Sequence, residues 1–240
     1  MAPTSTGSVF IDRRDAGRQL ALRLTGLAAK RPLVIALPRG GVPVAFEVAQ
    51  TLAAPLEVLA VRKLGAPGNP ELAVGAIAEH GSAVLDTTTA RRVGMTQQVL
   101  DATVEREMRE LQRRVERYRD GRPAADLRGR TVIIVDDGLA TGLTDLAAVR
   151  ALRAQGARRI VVAVPVGARQ AVVLVGQEAD EIVCHTIPAE LFGVGRWYED
   201  FSPVSDEEVL SLLRAARSEA PARAGSPPRA SGEPVARPPA

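Results

Sequence analysis

Two adjacent carboxylates, Asp136 and Asp137, end an unbroken branched apolar run, Val132-Ile133-Ile134-Val135, and precede Gly138-Leu139-Ala140-Thr141-Gly142-Leu143-Thr144. Ionised carboxylates only accept hydrogen bonds, so a pair of them suits a ligand rich in hydroxyl donors, such as a ribose diol. The loop that follows suits an anion. Gly142 lets the backbone come close, Thr141 and Thr144 offer hydroxyls, and successive N–H groups can converge on a phosphate. A pattern of helical period runs from Asp145 to Leu152, so the positive end of a helix dipole points at the same place. Sugar hydroxyls on one side and a phosphate on the other describe a ribose 5-phosphate. Leu143 stands where a triphosphate-binding loop carries its Lys, and no G-x-G-x-x-G is present; both disfavour the commonest nucleotide loops.

Two more segments carry candidate chemistry. The run Leu33 to Leu37 ends in Pro38-Arg39-Gly40-Gly41-Val42-Pro43, with a helix expected from Val44 to Leu52. Gly40 and Gly41 permit close backbone approach, and the Arg39 guanidinium suits planar contact with phosphate oxygens. A buried strand over Val58 to Val61 ends in Arg62-Lys63, and Leu64 to Leu72 is too rich in Gly and Pro to be regular structure.

These segments need a scaffold. Apolar runs without polar alternation suit strands buried on both faces, and strands alternating with helices imply a mostly parallel sheet with helices on both sides. Such sheets bind ligands at the carboxyl ends of their strands, where the acids, the Gly pair and the basic pair all fall. A helix is expected over about 15–29, capped by Asp12 or Asp15, with Leu20, Leu24 and Leu27 on one face. Ala73 to Ala78 and Ser82 to Leu85 read as a hairpin around Glu79-His80-Gly81, with Glu79 only weakly placed near the cleft. Thr96 to Arg119 reads as a long amphipathic helix with Leu100, Val104, Met108, Leu111, Val115 and Tyr118 as its stripe. Glu105 with Arg109 and Glu110 with Arg114 are spaced for helix-surface ion pairs. The stripe is expected to pack on the parent domain, with a homodimer contact as the alternative. Ile160 to Val166, a helix over about 168–176 and Ile182 to Ile187 extend the strand–helix alternation. His185 reads as a structural strand residue. Most of the aromatics then gather between Phe192 and Phe201, and at least two of them are expected to tie the C-terminal segment to the core. Ser205 to Glu208 is a capping box for a last helix to about Arg217.

Composition sets the limits. The chain has 240 residues, 46% of them hydrophobic, enough for one core, and 3% aromatic, so Ala, Val and Leu must fill the interior. A single cysteine, Cys184, rules out an internal disulfide and fits a reducing cytoplasm. No stretch suits a membrane span or a signal peptide. A net charge of +3 favours a phosphate-bearing ligand and is too dispersed to argue for nucleic acid. Residues 1–9 read as a loose arm, and 218–240, rich in Pro, Ala, Arg, Ser and Gly, as a disordered tail.

The central stretch, Asp136-Asp137-Gly138-Leu139-Ala140-Thr141-Gly142-Leu143-Thr144, resembles the phosphoribosyl-pyrophosphate (PRPP) loop of type I phosphoribosyltransferases. The Leu-Pro-Arg-Gly-Gly and Arg-Lys-Leu-Gly-Ala-Pro-Gly segments resemble an uncharacterised bacterial subgroup of that family. The resemblance implies a domain over 1–217 with a twisted, mostly parallel sheet, a small hood, and transfer of ribose 5-phosphate from PRPP to a nitrogen base with release of pyrophosphate. It implies that Asp136 and Asp137 hold the ribose hydroxyls and that Ala140, Thr141, Gly142, Leu143 and Thr144 hold the 5-phosphate. Arg39, Gly40 and Gly41 form the pyrophosphate loop, and Arg62 and Lys63 meet the pyrophosphate beneath a hood loop. Mg²⁺ would be held mainly by the substrate, with Asp136 and Asp137 reaching it through water. Phe192 corresponds to a ring that stacks on the base, and Glu199 to a partner for its exocyclic groups. Hypoxanthine–guanine members carry an acid where Ala140 stands, whereas adenine-type members carry Ala, so a purine is the favoured acceptor and its identity stays open. Some proteins of this fold bind PRPP or nucleotides only to regulate; no helix-turn-helix segment is evident here.

Overall fold

The computed structural model describes residues 10–219. The arm over 1–9 and the tail from residue 220 onward lie outside the described residues. Within them the chain is a parallel α/β sheet with an antiparallel hood.

Asp12 caps helix α1 (Arg13–Leu24) by accepting the Asp15 N–H at 2.7 Å. The helix is shorter than expected, because Thr25–Lys30 tightens into a 3₁₀ turn. Strand β1 (Leu33–Ala36) leads to helix α2, which starts at Gly41 rather than Val44 and ends at Thr51. Pro43 sits in the first turn of α2, where its missing N–H leaves no intrahelical bond unmade.

Strand β2 (Leu56–Val58) pairs parallel with β1, but the strand expected over Val58 to Val61 is divided. The chain turns a corner at Leu59 and Ala60 and opens a second sheet with β3 (Val61–Ala66). Buried Glu79 fixes that corner: its carboxylate accepts the Ala60 N–H at 2.9 Å and is ion-paired with Arg119. The Gly- and Pro-rich stretch Leu64 to Leu72 is also regular. It is the turn of a hairpin in which β3 pairs antiparallel with β4 (Asn69–Ala78), with register shifts on either side of Gly65. A Cβ on Gly65 would fall 2.6 Å from the Pro70 carbonyl oxygen, so the missing side chain is what lets the two strands close. Strand β5 (Ala83–Leu85) completes the three-stranded sheet. Short helix α3 (Thr87–Arg92) and long helix α4 (Gln97–Arg119) cover one face of it. The α4 stripe packs there through Leu100, Val104, Met108, Leu111 and Val115, while Tyr118 joins the main core.

Strand β6 (Thr131–Val135), helix α5 (Leu143–Ala154), strand β7 (Arg159–Val166), helix α6 (Arg169–Gly176) and strand β8 (Glu181–Thr186) follow. The main sheet has the order β2-β1-β6-β7-β8, with every pair parallel. Strand alternation divides its side chains between two layers. Val132 and Ile134 of β6 face α5 and the hood, whereas Ile133 and Val135 face α1, α2 and the last helix, α7 (Asp206–Glu219). Ser205 caps α7 by accepting the Glu208 N–H at 3.1 Å. Fully buried on both faces, β6 delivers whatever follows Val135 to the centre of the sheet's carboxyl edge.

Candidate active site

β1 and β6 are adjacent, and the loops after them touch. A Cβ on Gly41 would lie 2.6 Å from the Val135 carbonyl oxygen and 2.9 Å from the Asp136 Cα, and a Cβ on Gly40 would overlap the Asp137 carboxylate. The two glycines are the notch into which the acids fit. Arg39 lies at the rim, joined to Pro38 by a cis peptide, with its guanidinium 4.0 Å from Asp206 at the start of α7.

The acids are not equivalent. Asp137 Oδ2 accepts from Arg13 Nε at 2.8 Å, with both side chains mostly buried. Its backbone carbonyl accepts the Tyr198 hydroxyl at 2.6 Å. Asp136 Oδ1 accepts the Asp137 N–H at 2.8 Å. Burial raises both carboxyls, and the neighbouring Asp137 and Asp145 raise Asp136 further, well above the ordinary range; the Arg13 guanidinium opposes the rise at Asp137. The Tyr198 hydroxyl is likewise pushed up by burial and by Asp137.

The loop from 138 to 144 bends over the edge of the sheet. Leu139 is buried and exchanges backbone hydrogen bonds with Val166 and Ala168, so the loop is pinned to the end of β7. Ala140 and Thr141 are exposed. Gly142, at φ 81°, is the N-cap of α5, in the left-handed region that glycine adopts without a Cβ clash. Leu143 is buried, Thr144 is half-buried, and Thr141 Oγ1 accepts the Leu143 N–H at 3.5 Å. The turn stands at the start of α5, where the helix dipole is positive, an arrangement suited to a phosphate.

The remaining predicted site residues lie on the hood and on the loop after β8. Arg62 turns with Leu64 toward α4, where its guanidinium grips Glu107 at 2.7 and 2.9 Å. Lys63, on the alternate face of β3, is exposed. Phe192 is 73% exposed, with Arg196 5.7 Å from its ring centre. Glu199 is also exposed, and its backbone N–H bonds Phe10. Tyr198, Trp197 and Phe201 pack with Phe10 and tie the C-terminal segment down, and the His185 ring meets Phe10 edge-on at 5.5 Å. The loop bearing Phe192 is anchored by Val194, which fills the space a side chain at Gly138 would need.

Sequence reasoning missed Arg13, the Tyr198 contact and Asp145. Arg13 lies 124 residues from Asp137 in sequence, and α1 carries four arginines, so nothing local marks it. Asp145 opens the helical pattern in sequence, and nothing there marks its carboxyl as buried. It is only 2% exposed, and burial pushes its carboxyl up to about 7. Among the described residues no group of three or more His, Cys, Asp or Glu side chains is arranged to hold a metal ion.

Comparison with known proteins agrees with this arrangement. The phosphoribosyl transferase domain family matches residues 13–196. Proteins of two Mycobacterium tuberculosis strains, CDC 1551 and H37Rv, provisionally named phosphoribosyl transferases, are each 51% identical over 205 residues. The alignment covers 85% of this chain and 46% of each relative, so the chain spans about half the length of the relatives it matches. The crystal structure of TT1426 from Thermus thermophilus superposes with a TM-score of 0.71 at 46% identity, covering 85% of this chain and 97% of that one.

Proposed function

The chain belongs to the phosphoribosyl transferase domain family, and from that premise we propose that it transfers ribose 5-phosphate from PRPP to a nitrogen base, a purine by preference, with release of pyrophosphate. The observation that carries the reading is the seam between Gly40–Gly41 and Asp136–Asp137. It puts a loop suited to pyrophosphate and a pair suited to ribose hydroxyls within one side chain of each other.

The reaction breaks the bond from C1 of the sugar to the pyrophosphate oxygen and forms one from C1 to a base nitrogen. Positive charge grows on the ring as the pyrophosphate leaves. The protein's part is to hold the sugar, exclude water and stabilise the departing charge. The turn from Ala140 to Thr144 holds the 5-phosphate with backbone N–H groups, two hydroxyls and the start of α5. Asp136 accepts from the ribose hydroxyls. Arg13 fixes the angle of Asp137, so that the pair meets the sugar with one free and one braced carboxylate. Arg39 at the rim, and Lys63 from the hood, take the pyrophosphate charge. Arg62, engaged by Glu107, steadies β3 against α4 in this arrangement. Mg²⁺ would be held mainly by the substrate, with Asp136 and Asp137 reaching it through water, and would supply positive charge to the departing pyrophosphate. Ala140 carries no proton-transfer group, so the base must bring a nitrogen that is nucleophilic without one. Phe192, exposed and with Arg196 beside its ring, is the aromatic proposed to stack on it.

The test is pyrophosphate release from Mg–PRPP across a panel of purines and pyrimidines. Turnover with a purine supports the reading. Saturable PRPP binding with no turnover on any base replaces it with a regulatory, non-catalytic role.

A further inference from the structure

The loop after β8 closes on the acid end of β6 through two contacts that the reaction above does not use. Its centre is a single 3₁₀ turn, Val194–Trp197. At the start of the turn Val194 lies against Gly138, where a Cβ would overlap the valine methyl groups. Just past the end of the turn Tyr198, 5% exposed, donates its hydroxyl to the Asp137 carbonyl at 2.6 Å. One turn therefore grips two consecutive residues, Asp137 and Gly138.

The turn is itself held. The Phe10 N–H donates to the Trp197 carbonyl at 3.0 Å and the Glu199 N–H to the Phe10 carbonyl at 2.9 Å, which bridges residue 198 to residue 10. The Tyr198 ring packs on Phe10 and Phe201, with ring centres 5.4 and 5.0 Å away. Phe201 in turn closes on Gly195, and the Arg13 guanidinium stacks 3.8 Å from the Phe201 ring centre. Arg13 donates through Nη1 to the Ser202 carbonyl at 2.8 Å, while its Nε holds Asp137. Asp137 is thus tied to the segment 198–202 twice, by its backbone through Tyr198 and by its side chain through Arg13. Phe192, 73% exposed, stands just ahead of this segment, beyond Gly193.

The rings alone would hold the segment: a phenylalanine fills the same space, and the tyrosine hydroxyl adds only the bond to Asp137. Strand β6 ends at Val135, so that bond supports no sheet pairing. What it fixes is the placement of the acid pair relative to the loop bearing Phe192. We propose that Tyr198 is a positioning residue: its hydroxyl registers the acceptor-side loop on the acid that meets the ribose, so a sugar phosphate settling at Asp136 and Asp137 also sets the turn behind Phe192. The inference rests on the functional reading above. A group that meets a substrate is placed only as well as the neighbours that lock its support, and here two halves of one site share a single support.

Trp197, the only tryptophan of the chain, lies in the turn next to Tyr198 and reports its setting. The experiment follows Trp197 emission and calorimetric affinity while the full chain and Tyr198→Phe are titrated with ribose 5-phosphate. The unsubstituted protein should change its emission as it saturates. The variant should bind with an affinity within about twofold yet lose most of the emission change, because the missing hydrogen bond serves the loop and not the sugar. In turnover with the best base of the panel, its KM for the base should rise about fivefold, the worth of one hydrogen bond, with KM for PRPP held. A merely structural hydroxyl would lower the melting temperature and leave these ratios alone. Emission that ignores ribose 5-phosphate in the unsubstituted protein, a response kept in full by the variant, or an unchanged KM for the base overturns the proposal alone. So does an affinity that falls together with the response. No binding by either protein removes the functional reading and this proposal with it. If Tyr198→Phe does not fold, Val194→Ala, which loosens the other contact, decides. A lost response with affinity kept supports the proposal, and an unaltered response overturns it.

Discussion

Acids gather in two regions, and water treats them oppositely. Along α4, Glu110 accepts from Arg113 at 2.8 Å and from Arg114 at 2.9 Å, and Glu105 pairs with Arg109 at 2.6 Å. The Arg113 hydrogen bond holds the Glu110 carboxyl down at about 2. At the end of β6 burial pushes Asp136 well above its usual range, and in the first turn of α5 it pushes Asp145 up to about 7. The α4 acids find partners three or four residues away, in solvent. Asp137 takes its partner, Arg13, from 124 residues away, with both side chains mostly buried. Charge that costs nothing to keep belongs to the surface; charge kept at a cost marks the place where a ligand is to be met.

Breaking the Arg13–Asp137 pair should have the largest effect. Arg13→Ala leaves Asp137 as an uncompensated carboxylate, and removing one partner of a buried pair costs about 3–5 kcal/mol. Asp137→Asn strands Arg13 in the same way, so it should lower stability as well as PRPP affinity. Chemical denaturation of both single variants and the double variant checks this. The double variant should recover part of the loss, and strict additivity would show that the two side chains do not act as a pair.

Next comes the notch. Gly41→Ala drives a methyl into the Val135 carbonyl oxygen, a backbone atom that cannot swing aside. A cost of about 1–3 kcal/mol is expected, with PRPP affinity falling more than stability, because the acid pair is displaced. Gly26→Ala, which meets nothing within 4 Å, should change neither. Equal effects from the two substitutions would detach the seam from ligand binding.

Much of the scaffold was legible, because periodicity reports local burial. The β6 strand, the α5 start, the α4 stripe and the Ser205 cap all follow from residues within a few positions of one another. The division at Leu59 and Ala60 was not: no Gly or Pro marks it, and the group that stabilises it, the Glu79 carboxylate, comes from 19 residues on. The hairpin through Gly65 and Pro70 was misjudged because composition argued for a loop, while pairing across the strands and packing on α4 made it regular. The loops of the site could be located from residue types, but the partners of their charges could not. Whether Arg62 meets solvent or Glu107, and whether Asp145 faces water or the interior, depends on tertiary packing that no short spacing encodes.

Asp145→Asn should act in the opposite direction to the first two. Its carboxyl sits above the ordinary value of 3.8, at about 7, so the folded chain binds more protons than the unfolded one across that window. Stability therefore falls as pH rises from about 4 through about 7. The neutral amide removes that slope. Melting curves should coincide below pH ~4 and favour the variant above pH ~7, by something on the order of 2 kcal/mol after allowance for relaxation of the site. A variant less stable than the unsubstituted protein at alkaline pH would mean that the acid is ionised and satisfied there.

The smallest effect belongs to the other region. Glu110 sits below its ordinary value of 4.5 because Arg113 and Arg114 donate to it, so its contribution is present above about 4.5 and fades as pH falls toward about 2. The guanidinium of Arg113 is largely in water, where an ion pair is screened and its side chains lose rotamer freedom, and Glu110→Gln should cost no more than about 0.5 kcal/mol. The difference should shrink further with added salt, whereas the Arg13→Ala loss, shielded from ions, should persist. Melting temperatures at low and high ionic strength separate the two. A Glu110 effect as large and as salt-resistant as that of Arg13 would mean that α4 is shielded from solvent by another surface, as in a second copy of the chain, and the contrast between the two regions would then be one of degree.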